Sequence, residues 1–118
     1  MAGVSVWTFQ SVRAAEGPAR QAAEAFLRDL AAGDHQSAYG RLCTQTRERM
    51  GRDGFAHWYD TQPKIDRFEI SDTTVAFRDG RLTSTVTAEV TWASGIVAKQ
   101  SLPLVTDGGD WRICGYPM

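Results

Sequence analysis

The stretch Arg81–Trp92, RLTSTVTAEVTW, constrains the fold more than any other part of the chain. Leu82, Ser84, Val86, Ala88, Val90 and Trp92 fall on one face, and Thr83, Thr85, Thr87, Glu89 and Thr91 on the other. Strict alternation of this length, rich in β-branched residues, makes a sheet strand with one buried and one wet face. Such a strand needs neighbours on both edges and a cover over its apolar side.

The neighbours follow from the turn residues. Asp79-Gly80 before the strand is a strong hairpin signal, because both turn positions need positive φ. The preceding strand begins at Ile65, Phe68 and Ile70, while Val75 and Phe77 are out of phase with Phe68. A bulge or bend is expected between them. Ser94-Gly95 turns the chain into Ile96–Val105, and Asp107-Gly108-Gly109-Asp110 turns that into Trp111–Tyr116. The expected sheet is a meander of four antiparallel strands.

Everything before Pro63 reads as helix. Pro18, after Gly17, suits a helix start, where the missing N–H is not needed. Ala22, Phe26 and Leu30, beside Ala23, Leu27 and Ala31, form one apolar stripe. Gly33 supplies a left-handed stop and Asp34 an N-cap for a short second helix carrying Ala38, Tyr39, Leu42 and Cys43. Thr44 or Thr46 caps a brief turn ending at Gly51, and Asp53 caps a third helix with Phe55, Trp58 and Tyr59. These three helices are the available cover. The fold class is α+β, a half-open cone with helices on the concave side of a curled four-stranded antiparallel sheet.

The 118 residues suffice for one domain, assigned to residues 14–118, with residues 1–13 as a leader. Met1–Val12 is apolar and uncharged, but it lacks the basic start and cleavage site of a signal peptide. It reads as a frayed leader, a first strand, or the outer end of a membrane helix with Trp7 and Phe9 at the interface. A formal net charge of −1, with basic residues spread from Arg13 to Arg112, excludes a nucleic-acid footprint.

Few residues suggest chemistry. Two cysteines, Cys43 and Cys114, fit no zinc motif, and the sequence implies neither metal nor cofactor. A disulfide and a pair of small buried thiols remain open readings at this point. His35 sits in a turn, and His57 has no placed carboxylate partner. The inward faces of the strands carry Ser84 and Gln100 among apolar residues and no carboxylate, while a general base must reach its proton. Catalysis would fall to Tyr39, His57, Tyr59 or Asp60, with Asp66 and Asp72 on the irregular first strand as further carboxylates. Phe26, Tyr39, Phe55, Trp58, Tyr59 and Trp92 are spaced to meet between helices and sheet. They fill a core or line a cleft for an apolar ligand, in which Tyr39, Ser84 and Gln100 would be the polar anchors.

Three segments carry a resemblance: AAEAFLRDLAAGDHQSAYGRLC (Ala22–Cys43), TVTAEVTWASG (Thr85–Gly95) and DWRICGYP (Asp110–Pro117). With them the chain resembles the nuclear-transport-factor-2-like superfamily, and more narrowly an actinobacterial branch of extracytoplasmic, membrane-anchored domains. The resemblance implies a Cys43–Cys114 disulfide, an oxidising location outside the cytoplasm, and a membrane-helix stub at residues 1–13. Relatives such as ketosteroid isomerase and polyketide cyclases place acid or base residues on the inward sheet face, where this chain is apolar. The expectation is therefore a non-enzymatic domain that binds a small apolar ligand or a protein partner. Its ligand-facing residues would be Tyr39, Trp58, Tyr59, Ser84, Trp92 and Gln100. An isomerase- or cyclase-like enzyme is the alternative, and the threonine-rich outer sheet face offers a homodimer surface.

Overall fold

A computed structural model describes the backbone of residues 3–116 and the side chains of residues 16–116. Three helices, α1 (Gly3–Ala31), α2 (His35–Gly40) and α3 (Thr44–Thr61), precede four strands. These are β1 (Ile65–Arg78), β2 (Arg81–Trp92), β3 (Val97–Asp107) and β4 (Asp110–Ile113), paired antiparallel in chain order. The architecture is the α+β arrangement expected from the patterning.

The β2 alternation sets the sheet's inner surface. Its partners extend each inward residue into a row: Phe68–Val90–Ala98, Ile70–Ala88–Gln100, Thr73–Val86–Leu102 and Val75–Ser84–Leu104–Ile113. The phase change in β1 is a register shift between Ile70 and Asp72, and it keeps Thr73 and Val75 facing inward. Asp79 and Gly80 take φ of 53° and 76°, as the expected two-residue hairpin requires. Against the rows pack Ala23, Phe26, Leu27 and Leu30 of α1, with Leu42 and Phe55, all buried. This filling occupies the middle of the cone.

Three boundaries differ from the sequence reading. Helix α1 does not start at Pro18 but runs from Gly3, with Pro18 on an exposed position inside it. Proline costs a helix interior about 3 kcal/mol, yet Ala14, Ala15, Ala19, Ala22 and Ala23 flank it, and alanine is the strongest helix former. The helical backbone from Gly3 replaces the first-strand reading of that segment. The side chains of Trp7 and Phe9, on which the membrane-interface reading turns, lie outside the described residues. Among the described residues no helix is long and apolar enough to cross a membrane.

The second difference is in α3. Its two helical stretches meet at a kink at Gly51 (φ 72°, ψ 163°), the break the sequence places there, but Asp53 lies in the first turn after it rather than at its cap. Neither Thr44 nor Thr46 caps its start. The N-cap residue is Cys43, which makes no side-chain cap bond, and the Thr44 amide donates instead to Asp107 Oδ2 of β3 at 2.8 Å. The third difference is β4, which ends at Ile113 because the chain turns away through Gly115 at φ 90°.

The segment between α2 and α3 joins the sheet. Leu42 forms a parallel bridge with Ile113; the Cys43 amide donates to the Ile113 carbonyl (2.8 Å) and the Ile113 amide to the Arg41 carbonyl (2.9 Å). This closes the open edge beside β4. The Cys43–Cys114 disulfide sits at the same place, with Cα atoms 5.1 Å apart and a sequence separation of 71 between its ends. It belongs to an oxidising environment. Arg41 Nε adds an ion pair to Asp29 Oδ2 of α1 at 2.6 Å, and Arg112 donates to the Gly40 carbonyl.

Replacing both cysteines by alanine should lower unfolding stability by about 4 kcal/mol in the chain-entropy treatment of a loop this long. Urea titration of the two proteins measures it, and coincident midpoints would contradict it. The Asp107 carboxyl is held below the usual carboxylate range by the hydrogen bond from Thr44, so its stabilisation is complete above that range. It is lost as the pH falls below about 4 and through the depressed folded-state value. Asp107→Asn should therefore lower the thermal midpoint at neutral pH, with the gap to the parent closing in acid.

Candidate ligand cavity

The apolar rows leave one end of the cone unfilled, where α3 hands over to β1 and β2 turns into β3. The linker there is pinned, since the Ala93 amide donates to the Lys64 carbonyl at 2.8 Å. A cavity of about 160 Å³ opens at this end. Its floor is Leu30, and its walls include Tyr59, Ile65, Trp92 and Tyr116, with Asp60 and Lys64 on exposed rim positions. Beyond Trp92, Ile96 and Val97 are 64% and 56% exposed, which leaves apolar surface on the turn next to the opening.

Tyr59 is fixed by a hydrogen bond from its Oη to the Leu30 carbonyl at 3.1 Å, and its ring stands 5.8 Å from that of His35. The bond ties the second stretch of α3 to the end of α1, so one wall of the cavity is rigidly set. Tyr116 packs edge-on against Phe26 and Trp58, with centroids 6.0 and 5.9 Å away. Burial pushes its phenol above the usual tyrosine range.

Of the expected ligand-facing residues, the structure brings Tyr59 and Trp92 together at the cavity. Trp58 packs between Phe55 (5.4 Å) and Tyr116. Tyr39 donates from Oη to the Arg47 carbonyl at 2.9 Å, lies 5.9 Å from Phe55 and carries the Arg52 guanidinium 5.7 Å from its ring centroid. Ser84 donates to the Thr74 carbonyl at 2.7 Å, deep in the sheet. Gln100 is half-buried opposite Ala88, away from the cavity walls.

Leu30 and Ile65 were read as core and strand positions, and Gln62, Pro63, Lys64 and Tyr116 are wall residues to which the sequence reading gave no ligand role. The signal for Tyr116 was Gly115, whose positive φ stops the strand and sends the next ring back across Phe26. His57 is exposed, while Asp60 and Tyr59 are neighbours on the cavity wall. Among the described residues no three His, Cys, Asp or Glu side chains converge in a metal-binding group.

Because the folded-state phenol of Tyr116 ionises later than an unfolded one, its contribution to stability is intact below pH about 10 and lost as the pH rises through the elevated value. Tyr116→Phe keeps the ring and removes the ionisation. Its stability should fall less steeply than the parent's between neutral and strongly alkaline pH. Denaturant midpoints along that range measure it, and parallel curves would contradict the buried phenol.

Comparison with known proteins locates the fold. No protein-family model matches the chain, and no curated protein matches it. Solved structures do. One is a protein from Campylobacter jejuni described as an NTF2-like transpeptidase, with a TM-score of 0.61 at 13% sequence identity. The match covers 80% of this chain and 95% of that one. At that identity the likeness speaks for architecture alone, and it agrees with the order of three helices and a curled four-stranded sheet: the chain has a nuclear-transport-factor-2-like fold.

Proposed function

We propose that this chain is a non-enzymatic extracytoplasmic domain of a membrane-anchored protein that binds a small apolar ligand, or an apolar side chain of a protein partner, in the cavity beside Tyr59. The observation that carries the reading is the size and lining of that cavity. At about 160 Å³ it falls below the roughly 300–1,000 Å³ of drug-sized ligand sites. Its walls are mainly aromatic and aliphatic, so it suits a single ring or branched alkyl group. The exposed Ile96 and Val97 beside the opening extend the apolar surface for the rest of such a ligand.

Placement outside the cytoplasm is supported by the disulfide. Membrane anchoring, and the actinobacterial branch, rest on the resemblance of the three quoted segments and on the uncharged run Met1–Val12 of the sequence. The threonine-rich outer face of β2, away from the cavity, is available for a homodimer.

A second reading, an isomerase- or cyclase-like enzyme for a small apolar substrate, is favoured by Asp60 and Tyr59 lying on one cavity wall. The engagement of Tyr59 Oη with the Leu30 carbonyl weighs against it, since that proton is already committed. Among the described residues the cavity wall carries no serine or cysteine, and both cysteines are disulfide-bonded.

Titration with indole, followed by amide and side-chain shifts, tests the reading. Saturable shifts should concentrate at Leu30, Tyr59, Ile65 and Trp92, and Trp92→Ala should weaken binding by about tenfold or more. Shifts scattered over the surface, or an unchanged affinity in the variant, would refute it.

A further inference from the structure

The disulfide lies in a second depression, which shares no lining residue with the cavity beside Tyr59, and its two sulfurs are not equivalent. A groove of about 320 Å³ reaches both cysteines between Thr44, Gln45, Glu48, Arg81 and Val105. Cys43 is 2% exposed, whereas Cys114 is only partly buried. On the buried side the Thr46 hydroxyl lies 3.3 Å from Cys43 Sγ and 3.8 Å from Cys114 Sγ, while its oxygen accepts the Gly115 amide at 3.0 Å. That amide bond leaves the hydroxyl proton available to a sulfur.

The geometry points to Cys114 as a thiolation site: a low-molecular-weight thiol entering the groove exchanges with the disulfide at this sulfur, in the folded protein. The incoming thiolate forms a bond to Cys114 Sγ as the Cys114–Cys43 bond breaks, and the electron pair departs with Cys43 Sγ. Thr46 donates its hydroxyl proton as a hydrogen bond to the new Cys43 thiolate, which makes it the better leaving group. A second thiol attacks the external sulfur of the mixed disulfide and releases Cys114 as a thiolate. The net result is two thiols oxidised to one external disulfide and the protein disulfide reduced by two electrons.

Unfolding is not needed for this exchange. The bonds between Cys43 and Ile113, between Ile113 and Arg41, and from the Cys114 amide to the Pro103 carbonyl (2.9 Å) do not involve sulfur. They hold the two side chains adjacent after reduction, so the exchange is reversible.

The test uses the folded chain with glutathione at neutral pH, quenched in acid and mapped by peptide mass after alkylation of free thiols. The expected product carries glutathione on Cys114 and a free thiol on Cys43, with near-ultraviolet dichroism unchanged. An adduct on Cys43, or none until denaturant is added, would overturn the inference. Thr46→Val should slow adduct formation by roughly tenfold, the scale of a hydrogen bond to a charged group, and Thr46→Ser should restore it. A merely loosened fold would react faster, so an unchanged or raised rate in Thr46→Val counts against the assigned role of the hydroxyl.

Discussion

The junction of residues 41–43 with β4 is the constraint on which the rest of the structure depends. A curled sheet with one apolar face is stable only while its helical cover stays in place, and here the cover meets the sheet edge through backbone bonds as well as side-chain packing. The bridge between Leu42 and Ile113 makes the α2–α3 linker a short extra strand. The disulfide then removes conformational freedom from the unfolded chain, an effect of a few kcal/mol against total stabilities of 5–15 kcal/mol for domains of this kind. Asp107 supplies the cap that the start of α3 lacks, so the same corner also fixes where that helix begins.

The cavity follows from this arrangement. Phe26, Phe55, Leu102 and Leu104 fill the centre of the cone, and a site there would need them removed. Apolar space remains where the helix-to-sheet linker passes the end of β2. Its walls are rings held from behind: Tyr59 by the Leu30 carbonyl, Tyr116 by Phe26 and Trp58. Groups fixed in this way give a preformed hollow with little freedom to lose on binding. Proton transfer would need a different kind of group, an acid or base free to exchange its proton with a substrate.

The fold was readable from the sequence wherever a periodic pattern and a turn residue agreed. The β2 alternation, the Asp79-Gly80 hairpin, the β1 phase change and the Gly33-Asp34 turn all encode local geometry, and each element lies where that geometry puts it. Pro18 misled because its penalty is local while the helical preference of the alanines around it is summed over many residues. The cap of α3 was hidden because its carboxylate comes from Asp107, sixty-three positions further along the chain. The residues lining the cavity were harder to read for a related reason. Tyr39 and Ser84 carry the right groups, but their hydroxyls are taken up by the carbonyls of Arg47 and Thr74, contacts that no spacing rule reveals. Tyr116 entered the cavity wall only because a glycine ended its strand early.

The central claim is that the helical cover and the sheet open as one cooperative unit because residues 41–43 are clamped to Ile113 and Cys114. Native-state hydrogen exchange tests it most directly. The amides of Cys43, Ile113 and Cys114 should exchange with the same free energy of opening as the central amides of β2 and β3. Exchange there at the low free energy of a frayed terminus, while the central strands stay protected, would show that the corner is peripheral and contradict the account.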